Sequence, residues 1–232
     1  MRYTIEPVAI VHSPYTDKFG IPRQPGLVPS AKATIEFIAP YNTADAVRGL
    51  EGFSHIWLNF LFHKHLDRKY SATVRPPRLG GQQKVGVFAS RSSFRPNAMG
   101  QSCVALDEID ASDRHLILRV SGIDLLDQTP IIDVKPYLPY SDSHPNALGG
   151  FAPQAPAQLI VEFTEEAAEQ CEQFHEAYPL LGTLITEIIR QDPRPAYHNG
   201  RISKSYGFKL YQLNICFHVL ENQAMVTEVS LP

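Results

Sequence analysis

The chain has 232 residues, an apolar share of 44% and a formal net charge of -3, so it is long enough for one large or two small domains that bury a core. That balance marks a soluble globular chain and gives no global signal for nucleic acid, although averages hide local clusters. Cys103, Cys171 and Cys216 lack CxxC or Cys/His ligand spacing, and no apolar run approaches the roughly twenty residues of a membrane span. Neither a disulfide framework nor a structural zinc site is suggested, no spanning helix is expected, and a reducing, cytoplasmic setting fits best.

In chain order, the first two thirds reads as short strands between Pro/Gly turns. "KATIEFI" alternates Ala33, Ile35 and Phe37 with polar neighbours, which predicts a half-buried strand. "FSHIWLNFLF" is a nearly continuous apolar run, fitting a strand buried on both faces or a buried helix, and His12, His55 and Trp57 are assigned to the core. "HKH", His63 to His65, puts two histidines on one face of an extended chain. With no acidic or cysteine partner nearby in sequence, a basic cluster facing solvent or a ligand is expected there rather than a metal. From Lys64 to Arg95 the chain carries eight cations against the single acid Asp67, which predicts a local positive field. "RSSFRPNAMG" (91 to 100) reads as a stiff loop, because its proline, asparagine and glycine suit neither a regular helix nor a central strand.

"SCVALDEI" and "HLILRVSG" flank the turn "DASD" as a hairpin, and "PIIDVKPY" adds a strand. Many short strands with few helices argue for a closed or nearly closed β-barrel or a sandwich. Residues 139 to 158 are rich in Pro, Gly, Ala and Ser without periodicity, as a linker is. The expected division is a domain over 1–145, a linker over 146–158 and a small α+β domain over 159–232. In that last part Thr164 caps a helix through "TEEAAEQCEQFHEAY", and "LLGTLITEIIRQD" runs helically until Pro193. "KLYQLNICFHVL" alternates Leu213, Ile215, Phe217 and Val219 with polar positions, and turns at "ENQ" into "AMVTEVSL".

Neither GxGxxG nor GxxxxGK[ST] occurs, and GxSxG and HExxH are absent, so Rossmann, P-loop, α/β-hydrolase and zincin readings lose support. Four stretches combine backbone-fixing residues with charged or amide side chains: "FGIPRQPGLV", "VRPPRLGG", "RSSFRPNAMG" and "GIDLLDQTPIIDVKPYLPY". They are either barrel corners or loops that hold polar groups toward a ligand. Arginine and glutamine in the first three, with Asp124 and Asp127 in the fourth, suit a cationic ligand that also carries a carboxylate.

The ordered blocks "KFGIPRQPGLV", "GFSHIWL", "VRPPRLGG", "VGVFASRSSFRPNAMGQS", "DLLDQTPIIDVKPYLPY" and "QDPRPAY" resemble the TsaA-like family over essentially the whole chain, in particular its bacterial TrmO-type members. The resemblance implies a mainly β fold, with an N-terminal non-Rossmann β-barrel that binds S-adenosylmethionine near a homodimer interface and a small C-terminal α+β domain. It implies a tRNA methyltransferase acting on N6 of threonylcarbamoyladenosine next to the anticodon of threonine tRNA. Carried over residue by residue, cofactor contacts fall on Gln24, Pro25, Gly26, His63, Lys64, Arg91, Gln101, Asp124, Leu125, Leu126 and Asp127.

The proton of the target nitrogen would go to Asp127 or Tyr137. RNA would meet the basic strip through Arg75, Arg78 and Arg95 and a weaker cluster in the tail through Arg194 and Arg201, with Phe94 or Tyr197 stacking on a base. Two departures from relatives stand out: Ala98 where "FRPNPIG" has proline, expected to loosen its loop, and Gln128 where a glycine is common, expected to fit poorly in a turn with positive φ. Two rival readings remain, a non-catalytic cofactor-binding module with a basic partner surface, and a methyltransferase of the same fold acting on a small non-RNA substrate.

Overall fold

Period-two alternation builds the first unit, and the structure, a computed structural model, describes residues 3–112, 114–194 and 205–232. Strands β1 (Ala9–His12), β2 (Lys32–Phe37), β3 (His55–Leu61), β6 (Met99–Ser112), β7 (His115–Ser121) and β8 (Pro130–Pro136) close a six-stranded barrel in the order β1-β2-β7-β6-β3-β8. β8 closes it by pairing with both β3 and β1, and the described pairings are antiparallel. Closure leaves no open edge, and Val11, Ile35, Leu58, Val104, Leu118 and Ile131 fill the interior. A two-stranded ribbon, β4 (Thr73–Val74) with β5 (Val85–Gly86), and the short helix α1 (Pro139–Asp142) lie outside the wall sequence.

β3 corrects the expectation of a strand buried on both faces. Ile56, Leu58 and Phe60 are buried while Trp57, Asn59 and Leu61 are only half-buried, and His12 and His55 are exposed rather than in the core. The apolar run looked continuous because Trp57 and Leu61 cover the barrel's outer face. Gly100 lies inside β6, not in the loop before it: opposite Phe60, its missing Cβ would sit 2.3 Å from that ring's Cζ. His63–His65 form a 3-10 turn instead of extended chain.

The second unit gathers Ser13–Lys32, Gly122–Asp127 and Pro156–Pro232, whereas the barrel unit holds the chain up to His12, Ala33–Ser121 and Gln128–Ala155. Its sheet runs β10 (Ser205–Leu210), β11 (Leu213–Leu220), β12 (Gln223–Ser230), β9 (Ile160–Phe163), with β9 parallel to β12. Helices α2 (Glu165–Gln173) and α3 (Leu181–Arg190) complete it. α3 is strongly amphipathic, burying Leu181, Leu184, Ile185, Ile188 and Ile189. "KLYQLNICFHVL" is two strands rather than one, broken at Tyr211, whose φ of 55° turns the chain between Leu210 and Leu213. Among the described residues no helix is long and apolar enough to cross a membrane.

Thr164 caps α2 as expected, its Oγ1 accepting the Ala167 amide at 3.1 Å, with Glu165 and Glu166 in the first turn. Thr164→Ala should lower unfolding stability by about 1 kcal/mol, read from denaturant midpoints at constant slope.

Candidate functional site

Within the second unit, two of the expected ligand stretches meet through their glycines. Gly26 (φ +75°) donates its amide to the Gly122 carbonyl at 2.8 Å, and Gly122 (φ +74°) donates to the Ala31 carbonyl at 3.0 Å. A Cβ on Gly122 would lie 3.1 Å from the Gly26 Cα, so the backbones approach to a distance that no side chain permits without displacement. Past Gly122 the chain is pinned to residues 13–15: Ser13 Oγ donates to the Leu125 carbonyl at 2.7 Å, the Ser13 amide to Asp127 Oδ1 at 3.0 Å, and the Asp127 amide to the Tyr15 carbonyl at 2.8 Å. Gln24, Pro25 and Gly26 are thereby brought beside the segment Asp124, Leu125, Leu126 and Asp127. Leu125 is buried as an anchor, Asp124, Leu126 and Asp127 are half-buried, and Gly26 is exposed with open space where a Cβ would be. Tyr15, 1% exposed, makes no hydroxyl hydrogen bond among the described residues. Burial first, then the charges of Asp124, Tyr211 and Glu187, push its pKa far above the ordinary tyrosine value.

Within the barrel unit, a second group forms at the end of β3. The Phe62 amide donates to the Ala98 carbonyl at 2.7 Å, and the His65 ring stacks on Phe94 at 5.2 Å. The turn carrying His63 and Lys64 is thus joined to the loop carrying the exposed Arg91, while Gln101 is exposed on β6 across from Asn59. Arg95 turns inward on its own loop: Nη1 donates to the Ser90 carbonyl at 2.7 Å and the guanidinium lies 6.0 Å from the Phe88 ring, which is 72% exposed. Ala98 sits at φ 47°, a value closed to proline, so this loop takes a shape proline would forbid rather than a loosened version of one. Gln128 adopts φ 63°, the strained conformation foreseen for it.

The remaining candidates separate. Arg75 and Arg78 are exposed, and Arg78 Nη2 donates to the Gln154 carbonyl at 2.6 Å. Arg194, expected at a phosphate, is 7% exposed and forks onto Asp192 with bonds of 2.7 and 2.9 Å, the hydrogen bonds that raise its pKa further. Tyr197 and Arg201 lie outside the described residues. Tyr137 packs 5.9 Å from the Trp57 ring, and the Trp57 Nε1–H and the Leu138 amide both donate to Asp142 Oδ2 at 2.9 Å.

Among the described residues no three His, Cys, Asp or Glu side chains group to hold a metal. The three thiols are unlinked, and burial pushes each of them up, away from nucleophilic use. A groove of about 570 Å³ between α2 and α3, lined in part by Cys171, His175, Tyr178 and Glu187, was not legible in sequence, because its walls come from two helices whose pairing is a tertiary matter. Ser13, Ser30 and Glu187 were also missed as supports, whereas Gly122 opens the stretch "GIDLLDQTPIIDVKPYLPY" singled out in the sequence.

A closed six-stranded barrel with no Gly-rich βαβ turn defines a non-Rossmann β-barrel protein. The chain belongs to the tRNA-methyltransferase O family: the family's N-terminal domain matches residues 10–143 and its C-terminal domain residues 156–231. It is 46% identical over 221 residues to the tRNA (adenine(37)-N6)-methyltransferase of Escherichia coli, covering 94% of each chain. It is 42% identical over 219 residues to a putative S-adenosylmethionine-dependent methyltransferase, RcsF, of Pseudomonas aeruginosa, covering 94% of this chain and 93% of that one. The crystal structure of TrmO from Pseudomonas aeruginosa superposes with a TM-score of 0.84 at 36% identity, covering 100% of this chain and 98% of that one.

The Leu138 amide, and after it Trp57, hold the Asp142 carboxyl below its usual value of 3.8. A folded-state value below the unfolded one means that the bond to Trp57 persists above pH 3.8 and is lost as pH falls through the lower folded value. Emission from Trp57, the only tryptophan, should stay constant down to that pH and shift below it. Asp142→Asn should abolish the shift, and a wild-type transition above the ordinary carboxylate range would contradict the assignment.

Proposed function

We propose that the chain is an S-adenosylmethionine-dependent tRNA methyltransferase that methylates N6 of threonylcarbamoyladenosine beside the anticodon of threonine tRNA. The observation that carries this reading is the retention of the family's ligand stretches, "RQPG" and "DLLD", in one unit whose backbone is closed by the Gly26–Gly122 bond. The donor set fits the cofactor. Carboxylates at Asp124 and Asp127 suit a ribose or an amine, the exposed Gly26 backbone admits a close ligand, and His63, Lys64, Arg91 and Gln101 supply cations and donors for a carboxylate. When bound, the cofactor supplies a methyl group made electrophilic by its sulfonium.

What the chain contributes is positioning. Methylation of N6 would form a nitrogen–carbon bond as the methyl's carbon–sulfur bond breaks and leaves a neutral thioether, and it would release that nitrogen's proton, which we assign to Asp127 or Tyr137. Asp127 is oriented for such a role by the Ser13 amide and Tyr137 by packing against Trp57. For the RNA we propose Arg75, Arg78 and Arg201 as phosphate contacts, Tyr197, Phe94 and the exposed Phe88 as stacking faces, and Arg95 as the group that fixes the loop presenting Phe88. Arg194, committed to Asp192, is withdrawn from this set. The family resemblance further supports a homodimer working in the cytoplasm and a functional division into residues 1–145, a linker over 146–158, and 159–232.

The test is transfer of a labelled methyl group from S-adenosylmethionine to tRNA with and without the threonylcarbamoyl group. Label is expected only in the modified tRNA. Cofactor binding without label in either would move the chain to a non-catalytic binding module, and label on a small acceptor alone would remove RNA from the reading. In the same assay, the variant that removes the proton acceptor, Asp127→Asn or Tyr137→Phe, should lose on the order of a hundredfold in turnover at saturating cofactor.

Arg75→Ala and Arg78→Ala should each reduce the slope of log tRNA affinity against log salt by about 1. An unchanged slope would reject their phosphate role.

A further inference from the structure

The stretch Arg23–Ala31 contains no helix or strand, yet besides the bonds of Gly26 and Ala31 to Gly122 it is tied to the last turns of α3 and the corner that follows. Ser30 donates both its amide and its Oγ to Glu187 Oε2, at 2.9 and 2.6 Å. Gln191 Nε2 donates to the Leu27 carbonyl at 3.3 Å. Arg23 Nη2 donates to the carbonyls of Asp192 and Arg194 at 3.3 and 3.2 Å.

The corner is itself held rigid. Asp192 takes φ 46°, and its carboxylate receives the Arg194 amide at 3.4 Å and both arms of the buried Arg194 guanidinium, so the two carbonyls facing Arg23 have fixed directions. The polar, Pro-stiffened "QDPR" thus has an inward use: it presents backbone acceptors to the loop. From Gly26 the same support passes to Gly122 and the segment behind it.

We propose that residues 187–194 are a clamp that presets the turn Gln24–Gly26 for the cofactor, with Glu187 and Ser30 as its positioning residues. The clamp rests on the reading that this turn holds S-adenosylmethionine. Neither side chain needs to touch the ligand; their charge-assisted pair removes conformations of the turn that binding would otherwise have to exclude. The C-terminal domain therefore contributes to cofactor affinity as well as to any contact with RNA.

The experiment is calorimetric titration of the full chain with S-adenosylmethionine, alongside the KM for the cofactor, kcat and thermal midpoints. Glu187→Ala and Ser30→Ala should each weaken cofactor binding about tenfold, the loss expected for a charge-assisted hydrogen bond, with kcat at saturation within about twofold. The double variant should be no worse than Glu187→Ala alone, which already removes the carboxylate that the Ser30 amide and Oγ both bond, and Ser30→Thr should keep binding near the unsubstituted level. Ser30→Ala carries the test if Glu187→Ala does not fold.

A lowered thermal midpoint with unchanged cofactor affinity in both variants would reduce the pair to packing and overturn the clamp. Gly26→Ala, in the turn itself, separates the two levels. If it weakens binding while Glu187→Ala and Ser30→Ala do not, the clamp fails and the cofactor reading stands; if none of the three weakens binding, both fail.

Discussion

Every backbone amide and carbonyl that leaves a closed barrel has to find a partner outside the ladder, and this constraint organises the rest of the molecule. The barrel strands pair with one another around the closed wall, which leaves no open edge among them. Residues 13–32 and 122–127, which interrupt the barrel strands in sequence, therefore take their partners from each other and from the C-terminal elements, and they belong to that unit. Ser13, Gly26, Ser30 and Gly122 are where these obligations are met. The turns around Gly26 and Gly122 have no ladder partners of their own and are held by these bonds.

The chemistry proposed for the chain asks for the same property. Transfer of a methyl group from a sulfonium needs little covalent help from protein and depends on holding donor and acceptor in line. The proposed site, assembled from turns with fixed φ, closed by backbone bonds and anchored by the buried Leu125, meets that need by positioning. Flexible cationic side chains then remain for the part of the task where adaptability is useful, the phosphate backbone of an RNA.

Much of the architecture was legible because it depends on short-range pattern. Alternation gave β2, the β6–β7 hairpin and the β11–β12 hairpin, and the Thr164 cap with its following acids gave α2. Legibility failed where the deciding partner is distant in sequence or where one residue reverses the chain. Tyr211 adopts positive φ although no glycine marks the break, so two strands read as one. Four-residue β9 has too short a run to announce itself and is fixed by its parallel neighbour β12. Arg194 looked like a surface cation because nothing local shows that the Asp192 corner folds its carboxylate back onto it. Glu187 and Ser30 lie 157 positions apart, and neither forms part of a motif. The residues of the candidate site were found through family blocks and fixed-backbone loops, whereas the residues supporting them were not, since a support is defined by what it touches.

The interleaving of the two units also sets an order of events during synthesis. A chain emerging from the ribosome has all six barrel strands available once β8 has been made, so the wall can close on early material alone. The turn at Gln24–Gly26 emerges among the first segments, yet Glu187, Gln191 and the Asp192 corner that fix it belong to a part of the chain made long after the barrel is complete. For that interval the partners that fix the Gln24–Gly26 turn are not yet made. On the proposed reading of this turn, cofactor competence is therefore a late acquisition, gained when the C-terminal unit folds around segments that have been waiting for it.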